Sequence, residues 1–446
     1  MKFKFVSPLG AVICLALAAC GGGAAPASSA PAPASAAAKP SAAASAPASA
    51  AASAKPAASA AASGSEAAKP AASGAAAAQT GPIKIGWVSS LSGALSPAGK
   101  PMDNGFKLYL SQVGNKAGGR EIQVVTEDEA SNPKDGLDKI KKLVEQDKVD
   151  ILAGLILTPS TYASIDYMEK QAPRKVLLVG TNAGANDMDT TKKSDYFVRT
   201  AFSNAQANLP MGDYVFNTLK IKRVYDTYSD FAAGPEKVEV FAEGFKKAGG
   251  TIVGTEKPPF PSTDFAAFLT KIKASDAEAT YNFEPGNDGV QFTKQYAQFI
   301  DKNKIKYLGA GDNVDESNLP AEGQAAVGAI TTLHYYSTLD NAENKKFVAD
   351  YQAKFNDRPG SFAVQGYDGA KLIVDALNKT TGNTDPKALM AAMLGAKWDS
   401  PRGPVTISPE YHDIVQNIYV AETKLVDGKP QNIVMKTFEA VQPVGK

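Results

Sequence analysis

Thr158, Ser160 and Thr161 place three hydroxyls around Pro159, directly after the apolar run of residues 150–157, DILAGLIL. The run reads as a buried strand emptying into a polar loop, with a helix expected to begin at the hydroxyls. A helix start carries unpaired backbone N–H groups and the positive end of the helix dipole, which together attract anions. The same residues would serve equally as an ordinary helix cap, one hydroxyl satisfying an orphan amide. Anion binding and capping both stay open from these residues alone.

Other chemistries lack their residues. Residues 93–100, GALSPAGK, imitate a phosphate-binding loop, but the glycine spacing is one residue too long and Pro101 stands where a magnesium-holding hydroxyl is required. Glu127, Asp128 and Glu129 are not followed by the glycine and terminal glutamate of a calcium loop. No G-x-S-x-G elbow occurs. The chain has two cysteines, both within its first twenty residues, and two histidines, His334 and His412, far apart in sequence. Thiol chemistry, disulfides and a local zinc motif are therefore not expected in the folded part, and neither a metal nor a cofactor is expected. With 47 basic against 46 acidic residues the net charge is +1. No long-range field marks a nucleic-acid binder.

The elements that would position the hydroxyl loop come after a long preamble. Residues 1–20 carry Lys2 and Lys4, then an apolar stretch ending in Leu17-Ala18-Ala19-Cys20. This reads as an export signal too short to span a membrane. Its ending resembles a bacterial lipoprotein box, which implies acylation of Cys20 and a lipid anchor facing the periplasm or the cell exterior. Residues 21–80 are almost wholly Ala, Pro, Ser and Gly. Such a composition cannot offset ordering entropy and predicts a disordered tether with an r.m.s. span of roughly 40–45 Å.

From Ile83 onward, apolar runs alternate with amphipathic stretches. Strands are expected at residues 83–90, 121–125, 150–157 and 176–179. After Arg199 the pattern restarts, with strands expected at 224–227, 251–254, 279–283, 305–308 and 329–333, and at 405–407, 417–423 and 433–438 near the end. Helices lie between them. This rhythm predicts α/β lobes built on doubly wound parallel sheets, whose ligands sit beyond the carboxyl ends of strands. Those ends carry SSLSG, LTPST, GTNAG, DTYSDF, NFEPGND and GAGDN, all small, polar or aromatic.

The stretches IKIGWVSSLSGALSPAGKPMDNG, LTPST, GTNAGAN, YFVRT, TTLHYYS and VQGYDGAKLI lie between Ile83 and Ile373. Together they resemble the type I substrate-binding proteins of ABC importers, the leucine/isoleucine/valine-binding family. The resemblance implies two lobes joined by a three-crossover hinge near residues 199–204, 333–337 and 400–405. Lobe 1 would comprise 83–203 and 334–403, and lobe 2 would comprise 204–333 and 404–446. It further implies a monomeric binding protein rather than an enzyme, one that captures a small carboxylate by lobe closure and delivers it to a membrane permease. A sensory receptor using the same clamp to regulate a signalling partner is the alternative.

By local register, the resemblance assigns the ligand carboxylate to Thr158, Ser160 and Thr161 and to Asn182, Ala183 and Gly184. Phe231 and Phe283 would cover the ligand from the second lobe. One departure bears on the ligand: Gly311 stands where amino-acid binders place an acid for the ligand ammonium, and Asp312 is one residue off. If neither Asp312 nor Glu284 reaches the cleft, a buried ammonium would be unpaired, and an amine-free aromatic or aliphatic acid would fit better than a branched-chain amino acid.

Overall fold

A computed structural model describes residues 80–443. Residues 1–79, where the export signal with Cys20 and the tether are expected, and the last three residues lie outside the described residues. In chain order the first elements are β1 (Ile83–Ser89), α1 (Ser96–Gln112), β2 (Lys116–Ala117), β3 (Arg120–Asp128), α2 (Pro133–Glu145), β4 (Ile151–Gly154), α3 (Thr158–Lys170), β5 (Leu177–Gly180) and β6 (Phe197–Arg199). There follow α4 (Asn204–Asn217), β7 (Arg223–Tyr228), α5 (Ala233–Ala248), β8 (Thr251–Glu256), α6 (Ala266–Ala274), β9 (Ala279–Phe283), α7 (Asn287–Phe299), β10 (Lys306–Ala310), the single turn α8 (Leu319–Glu322) and β11 (Ile330–Leu333). The chain ends with α9 (Ala342–Phe355), α10 (Ser361–Lys379), α11 (Pro386–Met393), β12 (Lys397–Ser400), β13 (Gly403–Ile407), β14 (Ile414–Val426) and β15 (Lys429–Val441).

Two sheets organise these elements. The first has the order β2-β3-β1-β4-β5-β6, and all its pairings except β2–β3 are parallel. Its central strands are covered on both faces, as the unbroken burial of β4 and β5 shows. The second runs β12-β13-β14-β11-β10-β9-β7-β8, with β15 added on β14. Its β8-β7-β9-β10-β11 part is parallel, but β14 joins β11 antiparallel, and so do the strands beyond it. The second lobe thus has the expected parallel sheet from β8 to β11, extended beyond β11 by antiparallel strands.

The first core gathers Trp87 and Phe106, stacked with centroids 4.2 Å apart, beside Ile85, Ile151 and Val179. Helix α10 returns to this lobe and lies against α1 with backbones almost touching. A Cβ on Gly105 would sit 1.9 Å from the Ala363 carbonyl oxygen, and one on Gly366 would sit 2.0 Å from that of Met102. Only glycine allows that approach. The second core centres on Phe241 stacked on Tyr281 at 3.6 Å, with Phe245 and Leu308 around them.

Register places the loops that matter side by side. Gly154 ends β4 opposite Gly180 at the end of β5, so the loops holding Thr158 and Asn182 leave the sheet together. In the second sheet Tyr228 lies opposite Phe283, which brings the loop of Phe231 beside the end of β9. Buried Arg402 fastens the passages between the sheets. Its guanidinium donates to the Thr200 carbonyl at 2.9 Å, to the Ala201 carbonyl at 3.0 Å, to Gln416 at 2.8 Å and to Asp368 at 2.7 Å.

Candidate functional site

A cavity of about 540 Å³, its mouth included, opens between the carboxyl edges of the two sheets. The lobes meet around it. Gly286, with φ +62°, sits so close to α1's approach that an added Cβ would lie 2.9 Å from the Ala94 carbonyl. Glu236 at the start of α5 accepts from the Asn186 amide at 3.2 Å and from Asn204 Nδ2 at 2.9 Å.

From the first lobe, Thr158 and Pro159 open α3 on the cavity wall. The other two hydroxyls of the loop are turned inward: Thr161 Oγ1 donates to the Leu157 carbonyl at 3.0 Å, and Ser160 Oγ reaches the Pro133 carbonyl at 3.4 Å. Behind the loop lies Glu129, fully buried, whose Oε1 accepts from the Ile156 amide at 2.9 Å and from Ser90 at 3.1 Å. Burial raises its pKa against those hydrogen bonds. One of the amides that an anion could have used is thus already occupied by the protein's own carboxyl group.

Asn182 and Gly184 line the neighbouring wall. Asn182 Nδ2 donates to Gln365 Oε1 at 2.7 Å. Ala183 does not line the cavity; its carbonyl, with that of Ala185, accepts from the buried Arg199 guanidinium at 3.2 and 2.8 Å. Arg199 in turn pairs with Asp413 and lies 3.8 Å from Asp189, whose pKa burial pushes up to about 6. The loop that faces the cavity is therefore anchored to the passages between the sheets.

From the second lobe come Phe231 and Phe283, with ring centroids 5.8 Å apart, and Phe231 is backed by Phe260 at 4.7 Å. Asp312, in the 3-10 turn Gly311–Val314, reaches the cavity but is not free there: Lys237 of α5 is hydrogen-bonded to its Oδ2. Lys237 Nζ also lies 4.4 Å from the Phe283 ring centroid and 4.8 Å from that of Phe202. The ammonium is thus held by one carboxylate and two aromatic faces. Among the described residues Lys237 and Asp312 are the only charged ones on the cavity wall, so the charges balance there. Glu284 does not line the cavity. It is buried inside the second lobe, accepting from Thr227 at 3.0 Å and from Asn313 at 3.3 Å, and burial pushes its pKa well above the ordinary range.

The structure therefore brings Thr158, Asn182, Gly184, Phe231, Phe283 and Asp312 to one cavity, and turns Ser160, Thr161, Ala183 and Glu284 away from it. Among the described residues no cluster of His, Cys, Asp and Glu is arranged to hold a metal, and no helix is long and apolar enough to cross a membrane.

The model of the periplasmic binding protein family matches residues 82–430. The chain belongs to that family. It is 33% identical over 369 residues to the Leu/Ile/Val-binding protein homolog 6 of Brucella melitensis, a match covering 81% of this chain and 93% of that one. Among solved structures it resembles a solute-binding protein of an ABC transporter from Rhodopseudomonas palustris BisB5 in complex with 3,4-dihydroxybenzoic acid. That match has 38% identity and a TM-score of 0.77, covering 81% of this chain and 98% of that one. A second such protein, from Rhodopseudomonas palustris HaA2 in complex with p-hydroxybenzoic acid, is 34% identical with a TM-score of 0.76 over the same shares.

Sequence reasoning passed over Lys237, Phe202, Asn204 and Phe362, all on the cavity wall. Lys237 left a signal. It precedes Phe241 and Phe245 by four and eight residues, which places a lysine on the buried stripe of α5. A charged residue on an apolar stripe demands a partner. The two phenylalanines and Asn204 left none, because they reach the wall through the packing of distant elements.

Proposed function

We propose that the protein is the solute-binding component of an ABC importer and that its ligand is an amine-free aromatic carboxylate. The observation that carries the reading is the Lys237–Asp312 pair inside the cavity. An amino acid needs an unpaired carboxylate for its ammonium, and the acid on this wall is already neutralised. An ammonium placed there would face the like charge of Lys237 and remain unpaired away from water. A carboxylate can instead use neutral donors, the hydroxyl of Thr158 and the side-chain amide of Asn182, with phenylalanine faces for a ring beside the already balanced Lys237–Asp312 pair. The hydroxybenzoates bound by the two Rhodopseudomonas proteins support the same choice.

On this reading the lobes, 83–203 with 334–403 and 204–333 with 404–446, close over the acid and present it to a membrane permease. Cys20, acylated, would hold the protein at the membrane through the segment 21–80. A thermal-shift and calorimetric panel of benzoic acids against leucine, isoleucine and valine tests the ligand class. Binding of a hydroxybenzoate at 100 times its Kd should stabilise the protein by about 2.7 kcal/mol. Stabilisation by the amino acids alone, or by no member of the panel, would refute the proposal.

A further inference from the structure

Asn182, Gln365 and His334 form an unbroken line from the cavity wall to the point where the chain leaves β11. Asn182 Nδ2 donates to Gln365 Oε1 at 2.7 Å, and Gln365 Nε2 lies 3.2 Å from His334 Nε2. Gln365 and His334 are wholly buried, and neither belongs to the cavity wall. Since Gln365 Oε1 already accepts, its nitrogen must donate, and Nε2 of His334 must accept. The imidazole is then neutral, with its proton on Nδ1. Nδ1 is buried without a partner of normal geometry, beside the Ser361 main chain, which favours a proton on the ring. Burial, reinforced by the positive charges of Arg402 and Lys237, holds the histidine pKa well below its usual value, so no imidazolium competes.

The same ring supports a second part of the wall. His334 stacks on Phe202, with centroids 5.2 Å apart and planes 20° apart, and Phe202 is one of the two rings beneath Lys237. One buried histidine thus touches the supports of both polar ends of the cavity, the Asn182 amide and the Lys237 ammonium. The Asn182 carboxamide has no hydrogen bond beyond the one to Gln365 among the described residues. Its second N–H and its oxygen remain for a ligand.

We infer that His334 and Gln365 are positioning residues for ligand recognition: the neutral imidazole fixes the Gln365 amide, which fixes the Asn182 carboxamide so that its remaining N–H is offered to the ligand carboxylate. A free Asn amide can turn over at little cost, presenting oxygen where nitrogen stood. The line from His334 removes that freedom. The inference rests on the reading of the cavity as a carboxylate site.

Two measurements test it. Histidine labelled with ¹⁵N gives two side chains to resolve, His334 and His412, and His334→Gln assigns them. The ligand-free protein should show His334 as the neutral Nδ1–H tautomer from pH 5 to 8; an Nε2–H tautomer or a titrating ring in that range overturns the inference. Calorimetry with p-hydroxybenzoate then compares His334→Phe, which keeps a ring on Phe202 but accepts no hydrogen bond, with His334→Gln, whose carbonyl can accept one. Affinity should fall about tenfold or more in the first and recover to within a few-fold in the second. Equal affinity of wild type and His334→Phe, or equal losses in both variants, also overturns it. If the wild type binds no acid at all, the ligand-class proposal fails, while the tautomer still decides the line itself.

Discussion

Replacing Lys237 with methionine keeps the length and apolar stem of the side chain and deletes its charge. Lys237 and Asp312 are 3% and 6% exposed, so the variant leaves a buried carboxylate without its partner. Breaking such a pair costs about 3–5 kcal/mol. At a few degrees per kcal/mol or less in a domain of this size, melting should fall by roughly 5–15 °C. Binding should change in the same experiment. The cavity passes from balanced charge to net negative, and two unit charges about 6 Å apart at an effective dielectric near 20 interact by about 3 kcal/mol. A benzoate should therefore lose roughly 30- to 150-fold in affinity, and a ligand carrying an ammonium should gain by a comparable factor. Calorimetry with p-hydroxybenzoate and leucine reads both. The double variant Lys237→Met with Asp312→Asn restores neutrality and should recover most of the stability, with a coupling energy of about 2 kcal/mol or more in the cycle. Unchanged benzoate affinity in Lys237→Met, together with unchanged melting, would refute the argument that this pair sets the charge of the site.

The hydroxyl loop separates the residue on the wall from those behind it. Thr158→Val should cost about 1.5–3 kcal/mol of carboxylate affinity if its hydroxyl donates to the ligand. Ser160→Ala should leave affinity within about threefold, because that hydroxyl already faces the protein interior; calorimetric parity of the two variants would count against the wall geometry. Stability should depend on pH through Glu316, whose pKa is pushed up to about 7, first by burial and then by Asp315. The folded state binds this proton more tightly than the unfolded chain, so stability is lost as pH rises from about 4.5 through 7, by about 3 kcal/mol in all. Glu316→Gln keeps the acceptor for the Ser337 amide and hydroxyl. Its melting temperature should exceed the wild type's at pH 8 and converge with it at pH 5; an equal gap at both pH values would refute the assignment.

The first lobe was legible because its central strands β4 and β5 are buried on both faces and so appear as unbroken apolar runs, whereas β7 and β9 of the second carry buried Asp226 and Asn282 and were legible from their aromatic and β-branched residues. Strands β6 and β12, three and four residues long, carry too little pattern to be read. The hairpin of β14 and β15 was read short: its strands have 13 residues each, and the far end of β14 and nearly all of β15 are half-buried or exposed, so no apolar run marks their full length. The loops bearing the site were legible, since strand ends mark them, but the direction of individual side chains was not. Thr158, Ser160 and Thr161 sit within one helical turn and point three ways. The choice between Glu284 and Asp312 was illegible for a different reason. Glu284 turns inward because Thr227 and Asn313 lie behind it, and Asp312 is neutralised by a lysine 75 residues earlier.

The placement of Glu236 beside Lys237 ties recognition to the contact between lobes. Glu236 holds the Asn186 amide and the Asn204 side chain, while the next residue reaches into the cavity between two phenylalanine rings. On the other side, Arg199 holds the carbonyls of Ala183 and Ala185, the backbone on either side of cavity-lining Gly184, and pairs with Asp413 just before β14. Neither wall can therefore shift without disturbing a polar contact at the seam. A ligand moves an open–closed equilibrium only by binding one state better than the other. On the proposed reading Lys237 and Thr158 stand on different lobes, so an acid that spans the two would gain its full affinity only if the lobes close over it.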